Sequence, residues 1–249
     1  MRGSLGRHLP GRRNLALLEV CVDDVLGLAE AVAGGADRVE LCSALALGGL
    51  TPSPGLMAQA VDCGLPCYPI IRPRSGSFCF SEEEVETICG DIRAARALGL
   101  PGVVLGASRP DFRLDVLALE EMTQAAGDMD LTLHRCIDLC PDVEEAVQEA
   151  IGLGFRRILT SGGALRASDG VARLKQMIAV AGGRISIMPG SGVSVDTWPL
   201  LAGLGVAEVH ASCAVALPSD PVLRAFGFET GAEKRTDRAK VAELKALIA

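Results

Sequence analysis

Eight short apolar runs, each followed by a longer helix-like stretch, set the strongest limit on what this chain can fold into. The runs occupy residues 15–22 (LALLEVCV), 37–43 (DRVELCS), 67–73 (CYPIIRP), 102–108 (GVVLGAS), 130–138 (DLTLHRCID), 156–163 (RRILTSGG), 184–192 (RISIMPGSG) and 207–215 (AEVHASCAV). Between them lie stretches such as SEEEVETICGDIRAARALG and DVEEAVQEAIGLG, with Ser81 and Asp142 in N-cap position. Eight β/α units of roughly 30 residues predict an α/β protein of the (β/α)8 TIM-barrel type, one domain over residues 15–249. An open doubly wound sheet is the rival, but it usually has fewer strands, and no G-x-G-x-x-G follows the first run.

Hydrophobic residues make up 49% of the 249 and charged residues 22%, enough for a large core and too apolar for wholesale disorder. Aromatics are only 3% and the net charge is −7, which argues against base stacking and phosphate-backbone binding, hence against a nucleic-acid partner. No apolar run approaches the ~18 residues that span a bilayer, so no membrane partner is expected either. Residues 1–14 read as a flexible basic arm, because their opening, MRGSLGRHLPGRR, lacks the apolar segment of a secretory signal. With nine cysteines and no such signal, a cytoplasmic protein with reduced thiols is the expectation.

The first two runs repeat a spacing: Glu19 and Cys21, then Glu40 and Cys42. Residues two apart on a strand share a face, so each strand aims a carboxylate and a thiol the same way, into the upper barrel interior. The thiols taken singly read as core filler. The glutamates resist that reading, since an unpartnered buried carboxylate is costly; Arg72 or Arg74 from IIRPRSG is expected to meet them. His134 and Asp138 share strand parity but lie about 13 Å apart, too far for a direct dyad. The glycine-rich SGG (161–163) and PGSGV (189–193) stand where such barrels place a phosphate cradle, making Gly190, Ser191 and Gly192 candidate anion binders. On the eighth run His210 and Ser212 share a face with Glu208. The other cysteines, including the C-x3-C pairs 63/67 and 136/140, lack the second pair of a closed zinc site and read as filler.

In order, LLEVCV, GGADRVELCSALALGGLTPSPGL, IIRPRSGSFCFS, GVVLGA, HRCID, ILTSGGA, IMPGSGV and EVHAS resemble the CutC family, named for copper homeostasis, from about Leu15 to Ser212. HRCID departs from the usual family pattern by its central cysteine, Cys136. The resemblance implies a cytoplasmic (β/α)8 barrel, a homodimer or higher homo-oligomer, and Cu(I) bound through Cys21 and Cys42. Two readings stay open on the residues. One is a Cu(I)-binding protein. The other is an enzyme on a small anionic substrate, a phosphate or carboxylate held by Arg72, Arg74 and the Gly190–Gly192 loop. Glu19, Glu40, His134 and Asp138 are then the candidate proton-transfer groups.

Overall fold

A computed structural model describes residues 16–231 and 233–249; the basic arm expected over 1–14 lies outside them. The eight barrel strands are β1 (Leu17–Val22), β2 (Arg38–Leu41), β3 (Cys67–Pro69), β4 (Gly102–Leu105), β5 (Asp130–Leu133), β6 (Arg157–Thr160), β7 (Ser186–Pro189) and β8 (Glu208–Ala211). Helices α1 (Val25–Gly34), α2 (Pro54–Val61), α3 (Glu82–Ala97), α4 (Val116–Ala126), α5 (Val143–Gly152), α6 (Val171–Ala181) and the short α7 (Trp198–Leu201) follow the first seven strands. A two-stranded ribbon, β9 (Ala214–Ala216) with β10 (Lys234–Thr236), brackets α8 (Pro221–Ala225), and α9 (Arg238–Ile248) ends the chain.

All barrel strands pair in parallel, in two ladders of four: β3-β2-β1-β8 and β4-β5-β6-β7. At one seam Ile70 bridges to Val104 and the Ile71 N–H donates to the Val104 carbonyl at 2.8 Å. At the other, β7 and β8 lie side by side, with Gly190 tucked against Leu159 and His210. The expected (β/α)8 barrel is the observed fold.

Alternation decides which residues build which shell. Leu18, Val20 and Val22 join the apolar layer between strands and helices, while Glu19 and Cys21 face the barrel interior. On β2 and just beyond it, Val39 and Leu41 pack outward and Arg38, Glu40 and Cys42 inward. Helix starts follow their caps: Ser81 forms a full capping box with Glu84, and Asp142 accepts from the amides of Glu144 and Glu145. Helix α9 closes the outer ring against α1 because Gly34 has no Cβ; one there would come within 2.5 Å of Val241.

Two strand assignments change. The fifth strand ends at Leu133, and residues 135–139 form a 3-10 helix capped by the His134 ring, so Asp138 does not share a strand with His134. The eighth run breaks after Ala211, and residues 214–216 leave the barrel to pair antiparallel with β10, a ribbon that alternation alone did not announce.

Gly170 stands at the start of α6, where an added Cβ would fall 1.9 Å from the Ser161 carbonyl oxygen. Gly170→Ala should therefore displace the 161–163 loop and cost about 1–3 kcal/mol as overpacking does. Gly90 sits exposed inside α3 with open space around it, so Gly90→Ala should instead stabilise by about 0.5–1 kcal/mol. Denaturant titration of the two variants checks the opposite signs.

Candidate functional site

The lower barrel interior is a charged floor. Arg38 binds Glu19 through Nε and Glu208 through Nη2, and Arg157 reaches Glu208 at 3.0 Å, Asp130 at 2.8 Å and the Thr132 hydroxyl at 3.0 Å. Tyr68 donates to Asp130 at 2.7 Å, and its ring lies 5.3 Å from both guanidinium carbons. Burial and the Asp130 hydrogen bond raise the Tyr68 pKa to about 12, so the phenol remains a donor. Arg38, not Arg72 or Arg74, meets the first glutamate. The reason is register: parallel pairing sets Arg38 opposite Glu19 across β1 and β2.

Above the floor a polar column rises toward the mouth. Glu19, wholly buried, accepts from Arg38 with one oxygen and from His210 Nδ1, at 2.8 Å, with the other. Burial alone would raise its pKa, but the His210 hydrogen bond and Arg38 overcome that and hold it at about 2. An ionised carboxylate only accepts, so Nδ1 carries a proton and His210 presents Nε2 to the cavity. There Nε2 lies 3.7 Å from Glu40, and the ligand atoms of Cys21, Glu40 and His210 all fall within 4.8 Å of one another. Burial opposes a charged imidazole, yet Cys21, Glu40 and Glu19 push the His210 pKa well above its ordinary value. Burial also raises Glu40.

Cys21 and Cys42 share the inner cluster with Tyr68, Ile70 and Val104. The Cys42 thiol donates to Glu40 at 3.6 Å, and burial followed by that carboxylate pushes its pKa well up, which keeps it a thiol. Cys21, Glu40, Arg72, His134, Ser191 and His210 line one cavity of about 720 Å³ at the C-terminal end of the strands. The ribbon that follows β8 contributes Lys234, Arg235 and Thr236 to its wall.

The remaining candidates separate. Arg74 forks Glu84 and binds the Ser77 and Cys79 carbonyls outside this cavity. Asp138 is consumed by the 161–163 loop, accepting from the Thr160 and Ser161 hydroxyls, the Ser161 and Gly163 amides, and Arg135 at 2.7 Å. The Gly190 amide goes to the Thr160 carbonyl at 2.9 Å and the Ser191 hydroxyl to the Leu165 carbonyl at 2.7 Å. Arg38, Arg157, Glu208 and His210 are site residues that the motif reading does not select. The same two-residue parity that marked Glu40 and Cys42 also marks Arg38, and Glu208 with His210 on β8.

Three comparisons place these observations beside known proteins. The family model described as CutC family matches residues 16–215. A CutC family protein of Sinorhizobium medicae is 54% identical over 237 residues, 94% of this chain and 97% of that one. One from Caulobacter vibrioides is 50% identical over 236 residues, covering 93% and 96%. A solved CutC from Streptococcus agalactiae, named for copper homeostasis, superposes with a TM-score of 0.75 at 30% identity, covering 79% of this chain and 98% of that one.

Two measurements test the electrostatics. Glu208→Gln leaves two buried guanidiniums with one carboxylate fewer, and should cost about 3–5 kcal/mol, as for a broken buried pair. His134 is pushed down to about 3, first by burial and then by Arg72. Between pH 3 and its unfolded value of about 6.5 the unfolded chain binds more protons, so stability is complete above that window and falls with pH inside it. Wild type should lose up to about 2 kcal/mol more than His134→Gln between pH 6.5 and 5, at roughly 1.4 kcal/mol per unit. An imidazole NMR midpoint above pH 6 for His134 would contradict its neutral burial.

Proposed function

The chain belongs to the CutC family, and we propose that it binds Cu(I) as cargo in copper homeostasis, held by the Cys21 thiolate and His210 Nε2 with Glu40 beside them. The observation that carries this is the meeting of those three donor groups within 4.8 Å at the base of one cavity. Thiolate and imidazole suit copper by softness. Ligating histidines characteristically donate their second ring nitrogen to a carboxylate, and Glu19 supplies that here, itself fixed by Arg38. His210, held charged by its carboxylate neighbours, gives up its Nε2 proton as the ion binds; Cys42 ranks behind it as the partner of Cys21 because its thiol is engaged with Glu40 and it stands outside the three-donor cluster.

The same geometry supports a second reading. Glu19, His210 and Cys21 stand in the order orienting carboxylate, base and nucleophile, which suits a thiol enzyme on a small anionic substrate. In either case the protein is proposed to work in the cytoplasm as a homo-oligomer. Nine unpaired cysteines suit that reducing compartment.

Competition against a Cu(I) chelator under reducing conditions tests the proposal. Wild type should take up about one Cu(I), Cys21→Ser should bind at least 100-fold more weakly, and Glu19→Gln should lose about 10–100-fold through the misoriented imidazole. Cys42→Ser should stay within about threefold of wild type, a margin of under 1 kcal/mol. Equal losses in the two cysteine variants would move the site to the thiol pair. Unchanged binding in Cys21→Ser would remove copper from this cavity and leave the thiol-enzyme reading.

A further inference from the structure

Arg72 is a buried cation without an anion. Only 5% of its surface is exposed, yet no carboxylate reaches it among the described residues. Its Nη1 donates to the carbonyls of Leu47 at 3.0 Å and Gly49 at 3.1 Å, its Nη2 to Gly76 at 3.0 Å, and its Nε is buried with no partner. Neutral carbonyls fix the guanidinium plane; they do not neutralise it. A buried charge in that condition is costly unless something else supplies the opposite sign.

His134 has the matching deficit on the same wall. It is 3% exposed, and the Cys136 amide donates to its Nδ1 at 3.2 Å. A ring that accepts at Nδ1 and is neutral must carry its proton on Nε2, and that nitrogen is also buried without a partner. The ring takes its place because Gly106 has no Cβ, which would stand 2.6 Å from the imidazole. Phe78 ties the two residues together: the Arg72 guanidinium carbon lies 5.0 Å and the His134 ring centre 4.8 Å from its ring centre. Both residues line the cavity that also holds Cys21, Glu40 and His210, with Ile70 and Leu159 as apolar wall.

We propose that Arg72 Nε and His134 Nε2 form a seat for a small carboxylate, which satisfies both orphan N–H donors and neutralises the guanidinium. One negative charge matches a buried guanidinium that meets no carboxylate among the described residues, and two oxygens match the two free donors. Phosphate, with a second charge and more acceptor oxygens than two free donors can meet, fits this pair less well. The Arg72 bond is charge-assisted, so it supplies most of the affinity, while His134 sets orientation. The apolar wall gives the carboxylate a short hydrocarbon stem to accompany it, directed along the cavity that Cys21 and His210 share. The seat rests on neither reading of those two residues, since it uses none of their atoms.

Calorimetric titration with acetate, glycolate, pyruvate and succinate, with inorganic phosphate and methylammonium as controls, tests the seat on the full chain. At least one carboxylate should bind to wild type and, within about threefold, to Arg113→Gln, an exposed arginine outside the cavity. Arg72→Gln, which keeps an amide for the loop carbonyls, and His134→Phe should each weaken it at least tenfold while retaining the wild-type circular dichroism. If Arg72→Gln fails to fold, His134→Phe together with the loss of a His134 Nε2–H NMR shift on ligand addition decides the matter. Binding of phosphate in preference to every carboxylate overturns the ligand class. No binding of any anion, or binding indifferent to His134→Phe, overturns the seat. Affinity lost only in Cys21→Ser would assign the carboxylate to the Cys21 side of the cavity and likewise overturn it.

Discussion

The buried ion pair between Arg38 and Glu19 is the constraint on which the rest of the interior depends. Glu19 has no exposed surface, and the His210 hydrogen bond together with Arg38 keeps it ionised in that position. Because it is ionised, it accepts from His210 Nδ1; because Nδ1 is thereby committed, Nε2 is the nitrogen left for chemistry. The pair thus fixes the ring orientation of the histidine in register with it on β8. Arg38 in turn is held by Glu208, and Glu208 by Arg157, so the orientation of one imidazole is referred back to a network spanning β1, β2, β5, β6 and β8.

Such a floor is a poor device for stability. The interior of a (β/α)8 barrel is normally filled by branched aliphatics, and apolar replacement of a buried ion-pair network is often neutral or stabilising. Here the aliphatics are pushed outward to the strand–helix layer, and β1 and β2 reserve their inward positions for Glu19, Cys21, Arg38, Glu40 and Cys42. The cost of desolvating those groups is accepted in exchange for rigid placement of side chains around a cavity, which is what a binding or catalytic site requires.

The architecture was legible in the sequence because it rests on local periodicity. Eight alternating runs, the caps at Ser81 and Asp142 and the inward parity of Glu19, Cys21, Glu40 and Cys42 all follow from spacing that neighbouring residues determine. What was not legible depends on register and on competition between partners. That Arg38 faces Glu19 follows from pairing β1 with β2 in one register among several, and that Asp138 serves a loop follows from a 3-10 helix replacing the end of a strand. The ribbon β9–β10 joins segments separated by α8, a contact that no local pattern encodes. His210 and Glu208 were visible as a shared face, but their importance appears only when β8 is seen to lie against β1.

The two halves of the interior obey opposite rules, and that difference is the main argument for function. In the floor each guanidinium meets carboxylates: Arg38 has Glu19 and Glu208, and Arg157 has Glu208 and Asp130. Two guanidiniums face three carboxylates there, with His210 as a third donor to Glu19, so each cation has its anion inside the protein. At the mouth the accounting stays open. Arg72 meets carbonyls and the Phe78 ring but no carboxylate among the described residues, His134 ends in an unused donor, and Cys21, Glu40 and His210 crowd three ligand atoms together. A sequence able to close a five-residue charge network in the same barrel had the means to close this one as well. The unmatched groups are the physical basis for proposing a ligand site at this end of the barrel and none in the floor.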